Sequence, residues 1–260
     1  MGLTRYLEEL AGKGRLHFTT DEVATALGSS LVAARASIRR LREKGHIATP
    51  FRGFHLVVPP EYRSLGCLPA AQFIPQLMDH LGLVYYAGLL TAAELHGAAH
   101  QAPMVFQTVV ASNRPEIQCG RVRAEFVARR NVREIPTMQV NTPRGFLLVS
   151  TPEATAFDLG GYPGHAGGLS NVATILAELA ETMEASRLMA LIGLSPLPWT
   201  QRLGFLLERA GVYAMAEPLA GHVGSRAKDY VPLRPRQSTA RASRDSRWRL
   251  FVNEEVEVDL

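Results

Sequence analysis

The chain of 260 residues has only two cysteines, Cys67 and Cys119. That number excludes a disulfide framework. Neither cysteine stands in a zinc-ligand or redox spacing, so two buried thiols in a reducing compartment are expected. No apolar run approaches the roughly 18 residues that a membrane span needs. The opening MGLTRYLEELAGKGR carries acids in an amphipathic pattern and lacks the apolar centre of a secretory signal. A cytoplasmic protein that begins on a helix is therefore expected. Lysine is confined to Lys13, Lys44 and Lys228. This scarcity argues against a metal-dependent nuclease, which wants a lysine near clustered carboxylates, and Glu153 and Asp158 fall on a predicted helix rather than at a strand end. No serine or cysteine stands in a nucleophile elbow. Residues 160–168 (GGYPGHAGG) are glycine-rich but follow a helix and have no P-loop lysine. His96 and His100 are spaced like a zinc pair, yet Gly97 stands where a zinc protease has its glutamate, so structural histidines are expected. No internal repeat of fixed period occurs. The expectation is of no catalytic site, no cofactor and no metal.

The positive charge, by contrast, is concentrated. The net charge is +4, and residues 1–63 account for all of it, with 10 Lys and Arg against 6 Asp and Glu. The other 197 residues carry 18 of each. Within the basic segment the order TTDEVATALG, SSLVAARASIRRLREKG, HIATPFRGFHLVV predicts a short helix, a tight turn, a longer basic helix and a two-stranded wing. Thr20 is the expected cap of the short helix, with Asp21 and Glu22 in its first turn. Gly28 permits the turn, and Ser29 or Ser30 caps the basic helix. On a wheel of 100° per residue, Leu31, Ala34, Ile38 and Leu41 form the inward stripe, and Val32, Ala33, Ala36, Arg39 and Arg40 the outward one, with Arg35 and Arg42 at the margins. Small side chains near the helix N-terminus with long cations behind them suit a DNA major groove. The wing tip, Pro50 to Gly53, should present Arg52 to the flanking backbone. The candidate DNA contacts are Ser30, Ala33, Arg35, Ala36, Arg39, Arg40 and Arg52. A winged helix also serves as a protein-docking module, and an arginine-rich helix face is often only solvated.

A proline-rich stretch, residues 59–69, marks a boundary. Beyond it helices are expected over 72–80 and 85–96, and strands over 105–110, 121–127, 137–140 and 146–149. A helix starts at Thr151-Pro152, and others follow over 169–183, 186–192 and 199–210. Short strands over 230–233 and 248–252 close the chain. The fold class is α+β: an N-terminal winged helix-turn-helix (residues 1–63) followed by a larger mixed α/β domain (64–260), the tail 212–260 included. The tail carries Arg234, Arg236, Arg241, Arg244, Arg247 and Arg249, then Glu254, Glu255, Glu257 and Asp259. Two readings of it stand: a locally balanced solvated loop, or an adhesive surface for nucleic acid or an acidic partner.

The segments VVPPEYRSLGCLP (57–69), YYAGLLTAAELHGAAHQAPMVFQTVV (85–110), GRVRAEFV (120–127), NTPRGFLLVSTPEATAFDL (141–159) and GGLSNVATILAEL (167–179) resemble the AbiEi family of antitoxin repressors. The likeness runs to about Gly211. It implies the antitoxin of a toxin–antitoxin or abortive-infection pair, encoded beside an AbiEii-like nucleotidyltransferase toxin. It implies a winged helix that represses its own operon by binding inverted repeats in the promoter. It also implies a C-terminal domain that neutralises the toxin, in many members without a tight complex. The partners expected are double-stranded promoter DNA, bound cooperatively by copies that are monomeric in solution, and the cognate toxin; no membrane is expected. The alternative is an interaction protein that blocks a toxin by direct binding through its C-terminal domain. An enzyme is the third and least favoured class.

Overall fold

Three leucines at helical spacing, Leu3, Leu7 and Leu10, bury one side of the first helix, α1 (Leu3–Gly12). The computed structural model describes residues 2–98 and 103–258. After α1 come β1 (His17–Thr19), α2 (Thr20–Leu27), α3 (Leu31–Glu43), β2 (Ile47–Phe51) and β3 (Phe54–Val57). The strands form an antiparallel sheet in the order β1-β3-β2. Helices and sheet close on a core that includes Leu7, Phe18, Val23, Ala34, Ile38 and Ile47. This is a winged helix-turn-helix, as expected, with one addition. Strand β1 is only three residues long, too short for an alternation signal.

Local details differ from expectation in two places. Thr19, not Thr20, caps α2: its hydroxyl accepts the Glu22 N–H, and the Glu22 carboxylate accepts the Thr19 N–H at 2.7 Å. Both orphan donors at the helix start are thus satisfied reciprocally. The wing turn is also tighter than its sequence implies. Pro50 and Phe51 belong to β2, and a register shift between Ala48 and Phe51 accommodates the proline, which has no N–H to give the ladder.

The chain divides into two compact units, one of residues 1–86, 104–132 and 139–148, the other of 87–103, 133–138 and 149–260. The proline-rich stretch lies inside the first. Beyond it the chain forms α4 (Ile74–Leu81), β4 (Tyr85–Ala87), α5 (Leu89–Leu95), β5 (Phe106–Val110), β6 (Ile117–Cys119), β7 (Val122–Ala128), β8 (Thr137–Thr142) and β9 (Gly145–Ser150). Hydrogen-bonded neighbours run β6-β7-β5-β4-β9-β8. Strands β5 and β7 are parallel, from Phe106 opposite Ala124 to Val110 opposite Ala128. The helix expected over 85–96 is in fact a strand, Tyr85–Ala87, then a helix. All three strand residues are buried, and buried aromatics suit a sheet interior.

In the second unit, Thr151 caps α6 (Pro152–Gly161) by accepting the Ala154 N–H, with Pro152 in the first turn. Then follow α7 (Leu169–Leu179), α8 (Ala185–Ala190), α9 (Leu197–Arg209), α10 (Tyr213–Arg226) and a small sheet of β10 (Val231–Pro232), β11 (Ser243–Asp245) and β12 (Leu250–Val252) in the order β10-β12-β11. Helix α6 is buried from Glu153 to Gly160 and α9 from Thr200 to Leu207. Among the described residues, no helix is long and apolar enough to cross a membrane.

Candidate nucleic-acid interface

Helix α3 is fixed from its inner side. Ala34 and Ile38 are buried in the winged-helix core and Leu41 packs against it. Leu31, expected on that stripe, is 41% exposed, because it is the first helical residue and lies a turn short of Ala34. Ser30 caps the helix, its hydroxyl accepting the Ala33 N–H at 3.3 Å. With the inner stripe anchored, the helix turns the other residues outward. Val32 is 74% exposed, and Ser30, Ala33, Arg35, Arg39 and Arg40 are exposed. Ala36 is half-buried, at the edge of this face. Arg52 is exposed in the two-residue turn Arg52-Gly53, where the Gly53 φ of +82° permits the reversal.

The guanidiniums on this face are only loosely held. Arg39 lies 3.8 Å from Glu43, with both side chains about two-thirds exposed, a geometry that contributes little. Arg40 donates to the Ser37 hydroxyl at 3.0 Å. Arg35 and Arg52 have no ion-pair partner among the described residues. Arg35, Arg39 and Arg42 line a shallow cleft of about 230 Å³, with Ile38 and His55 at its floor.

His55 joins the wing to the helices. On β3, it is buried, with Nε2 2.9 Å from the Thr20 hydroxyl at the start of α2 and Nδ1 2.9 Å from the Thr49 hydroxyl on β2. Burial, with a smaller push from Arg42, lowers its pKa to about 4. The folded protein therefore holds it neutral, whereas the unfolded chain, near the ordinary 6.5, takes up a proton. Folded stability from this group is intact above about pH 6.5 and is lost as pH falls toward 4. Taking the protein from about pH 7 to about pH 5 should cost about 2 kcal/mol through His55 alone. Urea unfolding of wild type and His55→Gln at both pH values checks this. Equal losses in the two proteins would remove His55 as the cause.

The arginines of the tail are mostly engaged within the second unit. Arg247 pairs with Glu217 at 2.5 Å and lies 3.7 Å from Glu208. Arg234 pairs with Glu254 at 3.4 Å. Arg244 lies over the rings of Tyr230 and Phe251, and Arg249 over Tyr230. Arg236 and Arg241 remain exposed. The acidic terminus thus supplies only part of the expected compensation, and α9, α10 and aromatic faces supply most of it.

Of the two spaced histidines, His100 lies outside the described residues, and His96 Nε2 is bonded to the Ser150 carbonyl at 2.8 Å. No group of three or more metal-ligating side chains occurs among the described residues. Cys67 and Cys119 are free and buried.

Comparison with known proteins adds two findings. The family described as the AbiEi antitoxin C-terminal domain matches residues 86–209, from the second residue of β4 to the end of α9. Among solved structures, the chain is similar to the RV2827C protein from Mycobacterium tuberculosis, at 16% identity and a TM-score of 0.70, over 95% of this chain and 89% of that one. At that identity the likeness is one of fold. No curated protein matches the chain.

Proposed function

We propose that this chain, whose residues 86–209 match the AbiEi antitoxin C-terminal domain, is the antitoxin partner of a toxin and also a DNA-binding repressor of its own operon. The observation that carries this reading is the outward face of α3. Its inner side is locked into the core while Ala33, Arg35, Arg39 and Arg40 stand free of it, and Arg52 projects from the wing. On this reading residues 1–63 engage promoter DNA and residues 64–260 serve the antitoxin role. The exposed Val32 and Ala33 approach base edges, where an apolar side chain meets a thymine methyl. Arg35, Arg39 and Arg40 hold phosphate or guanine, and Arg52 holds the backbone beside the groove. Ser30 contributes through its place at the helix N-terminus, since its hydroxyl already caps the helix. Ala36 offers closeness rather than contact. Two copies fill inverted half-sites, and cooperation between them arises on DNA.

The test is a gel-shift titration of the promoter against salt. Replacing Arg39 and Arg40 by alanine should lower the slope of log K on log salt by about 0.9 per lost phosphate contact, roughly 1.8 for both. An unchanged slope would refute the assignment. For the antitoxin half, we infer opposition to an AbiEii-like nucleotidyltransferase toxin without a lasting complex. Co-expression with the neighbouring gene product followed by size-exclusion chromatography tests it. Rescue from toxicity with separate elution supports the inference, and a stable one-to-one complex favours direct blocking.

A further inference from the structure

We propose that the first unit contains a binding site for a small oxyanion that also carries hydroxyl or amine donors. The site is a cavity of about 170 Å³ whose polar lining comes from Lys13, Arg15 and His17 after α1, Gln72 in the turn before α4, Gln76 in the first turn of α4, and Arg144 in the β8–β9 turn. Its apolar wall includes Leu56 of β3. Nothing in the proposed DNA contact uses these residues, so the inference stands or falls separately.

Three observations converge on it. The first is charge: Lys13, Arg15 and Arg144 line the cavity and no carboxylate does. Glu22 holds Arg15 at 2.5 Å from outside the lining, which leaves Lys13 and Arg144 as the cations with charge to share. The second is satisfaction of polar atoms. Six buried side-chain nitrogens and oxygens lack a hydrogen-bond partner among the described residues, and three of them belong to this one lining: Gln72 Oε1, Gln76 Oε1 and Arg144 Nε. Gln72 is only 9% exposed, and buried polar atoms are rarely left orphaned. The third is orientation. Gln72 Nε2 donates to the Tyr62 hydroxyl at 2.9 Å and Gln76 Nε2 donates to the Arg144 carbonyl at 3.2 Å. With both amide nitrogens committed, the two carbonyl oxygens are the groups left without a partner.

The chemistry of the ligand follows from these orphans. Two amide oxygens require donors, and the guanidinium Nε–H, in a lining that holds cations but no carboxylate, is matched by an anionic acceptor. A bare anion leaves the amides unpaired, and a neutral polyol leaves the charge unpaired. A molecule joining an oxyanion to hydroxyl or amine groups satisfies both. The volume admits on the order of six water-sized groups, the scale of a three-carbon phosphate or hydroxy acid.

Isothermal titration and thermal denaturation of the full chain test this, with glycerol 3-phosphate, glycerate and neutral glycerol as probes at constant ionic strength. One of the two anions should bind one-to-one and raise Tm by several degrees near saturation, as any ligand of the native state does, and glycerol should do neither. Which anion binds decides between a phosphate and a carboxylate head. Arg144→Gln should weaken binding at least tenfold. Lys13→Gln, an exposed site whose change leaves the fold intact, should weaken it severalfold. The proposal is overturned if neither anion binds, if glycerol gives the same shift, or if both variants keep wild-type affinity.

Discussion

Replacing Trp248 by alanine is expected to destabilise the second unit by about 3–5 kcal/mol, the range for emptying a buried tryptophan site. Trp248 is the largest fully buried side chain of the molecule. Its ring lies against Gly204 of α9 so closely that a Cβ added to Gly204 would fall 2.0 Å from Cζ3. Its indole N–H donates to Glu208, its backbone N–H donates to Asp245 at 2.8 Å, and its carbonyl accepts from the Gln201 amide at 3.1 Å. One side chain therefore fastens the tail to α9, the last helix of the segment matched by the antitoxin family. The converse change, Gly204→Ala, forces methyl and indole into the same space and should be destabilising as well. Denaturant midpoints and limited proteolysis of both variants measure this. Retention of wild-type midpoints and of a protease-resistant tail in both would show that the tail is not held through this contact.

The same contrast between near and distant partners decides what is legible in the sequence. Helix α3 can be read in advance because a cap, a 3.6-residue period and a charge gradient agree, and local consistency of that kind is the strongest signal a sequence carries. The outward exposure of Ala33, Arg39 and Arg40 follows from the wheel alone. Errors arise where local signals compete. From Tyr85 to Leu90 the residues are apolar apart from Gly88, and only the backbone shows that Gly88 separates a buried strand from a helix. Helix α10 escapes sequence reading because Pro218 lies inside it, although Ala216, Leu219 and Val223 are buried at helical spacing. The arginine-rich tail resembles a surface device because its partners, Glu208 and Glu217, stand on helices far away in sequence. The oxyanion cavity is beyond sequence reading altogether. Gly14 and Arg144, which meet at its edge, are 130 residues apart, and no local pattern links them.

Gly120 gives the second large expected effect, and a comparison that isolates its cause. It sits between β6 and β7 with φ +60°. A Cβ there would lie 2.2 Å from the Leu65 carbonyl oxygen and 2.9 Å from the Gly66 carbonyl carbon, both backbone atoms that cannot rotate aside. The Arg121 N–H donates to the same Leu65 carbonyl at 2.7 Å, so retreat of residues 65–66 breaks a hydrogen bond and disturbs Cys67 and Cys119, buried on either side. Left-handed backbone costs a non-glycine residue about 1–2 kcal/mol, and overpacking adds about 1–3. Gly120→Ala should therefore lose about 3 kcal/mol or more. Gly53 at the wing tip has φ +82° but nothing within 4 Å of an added Cβ. Gly53→Ala should suffer the backbone cost alone, about 1–2 kcal/mol. Urea midpoints at equal m-values compare the two. If Gly120→Ala proves no more costly than Gly53→Ala, the close passage of residues 65–66 against Gly120 is not what holds the two segments together.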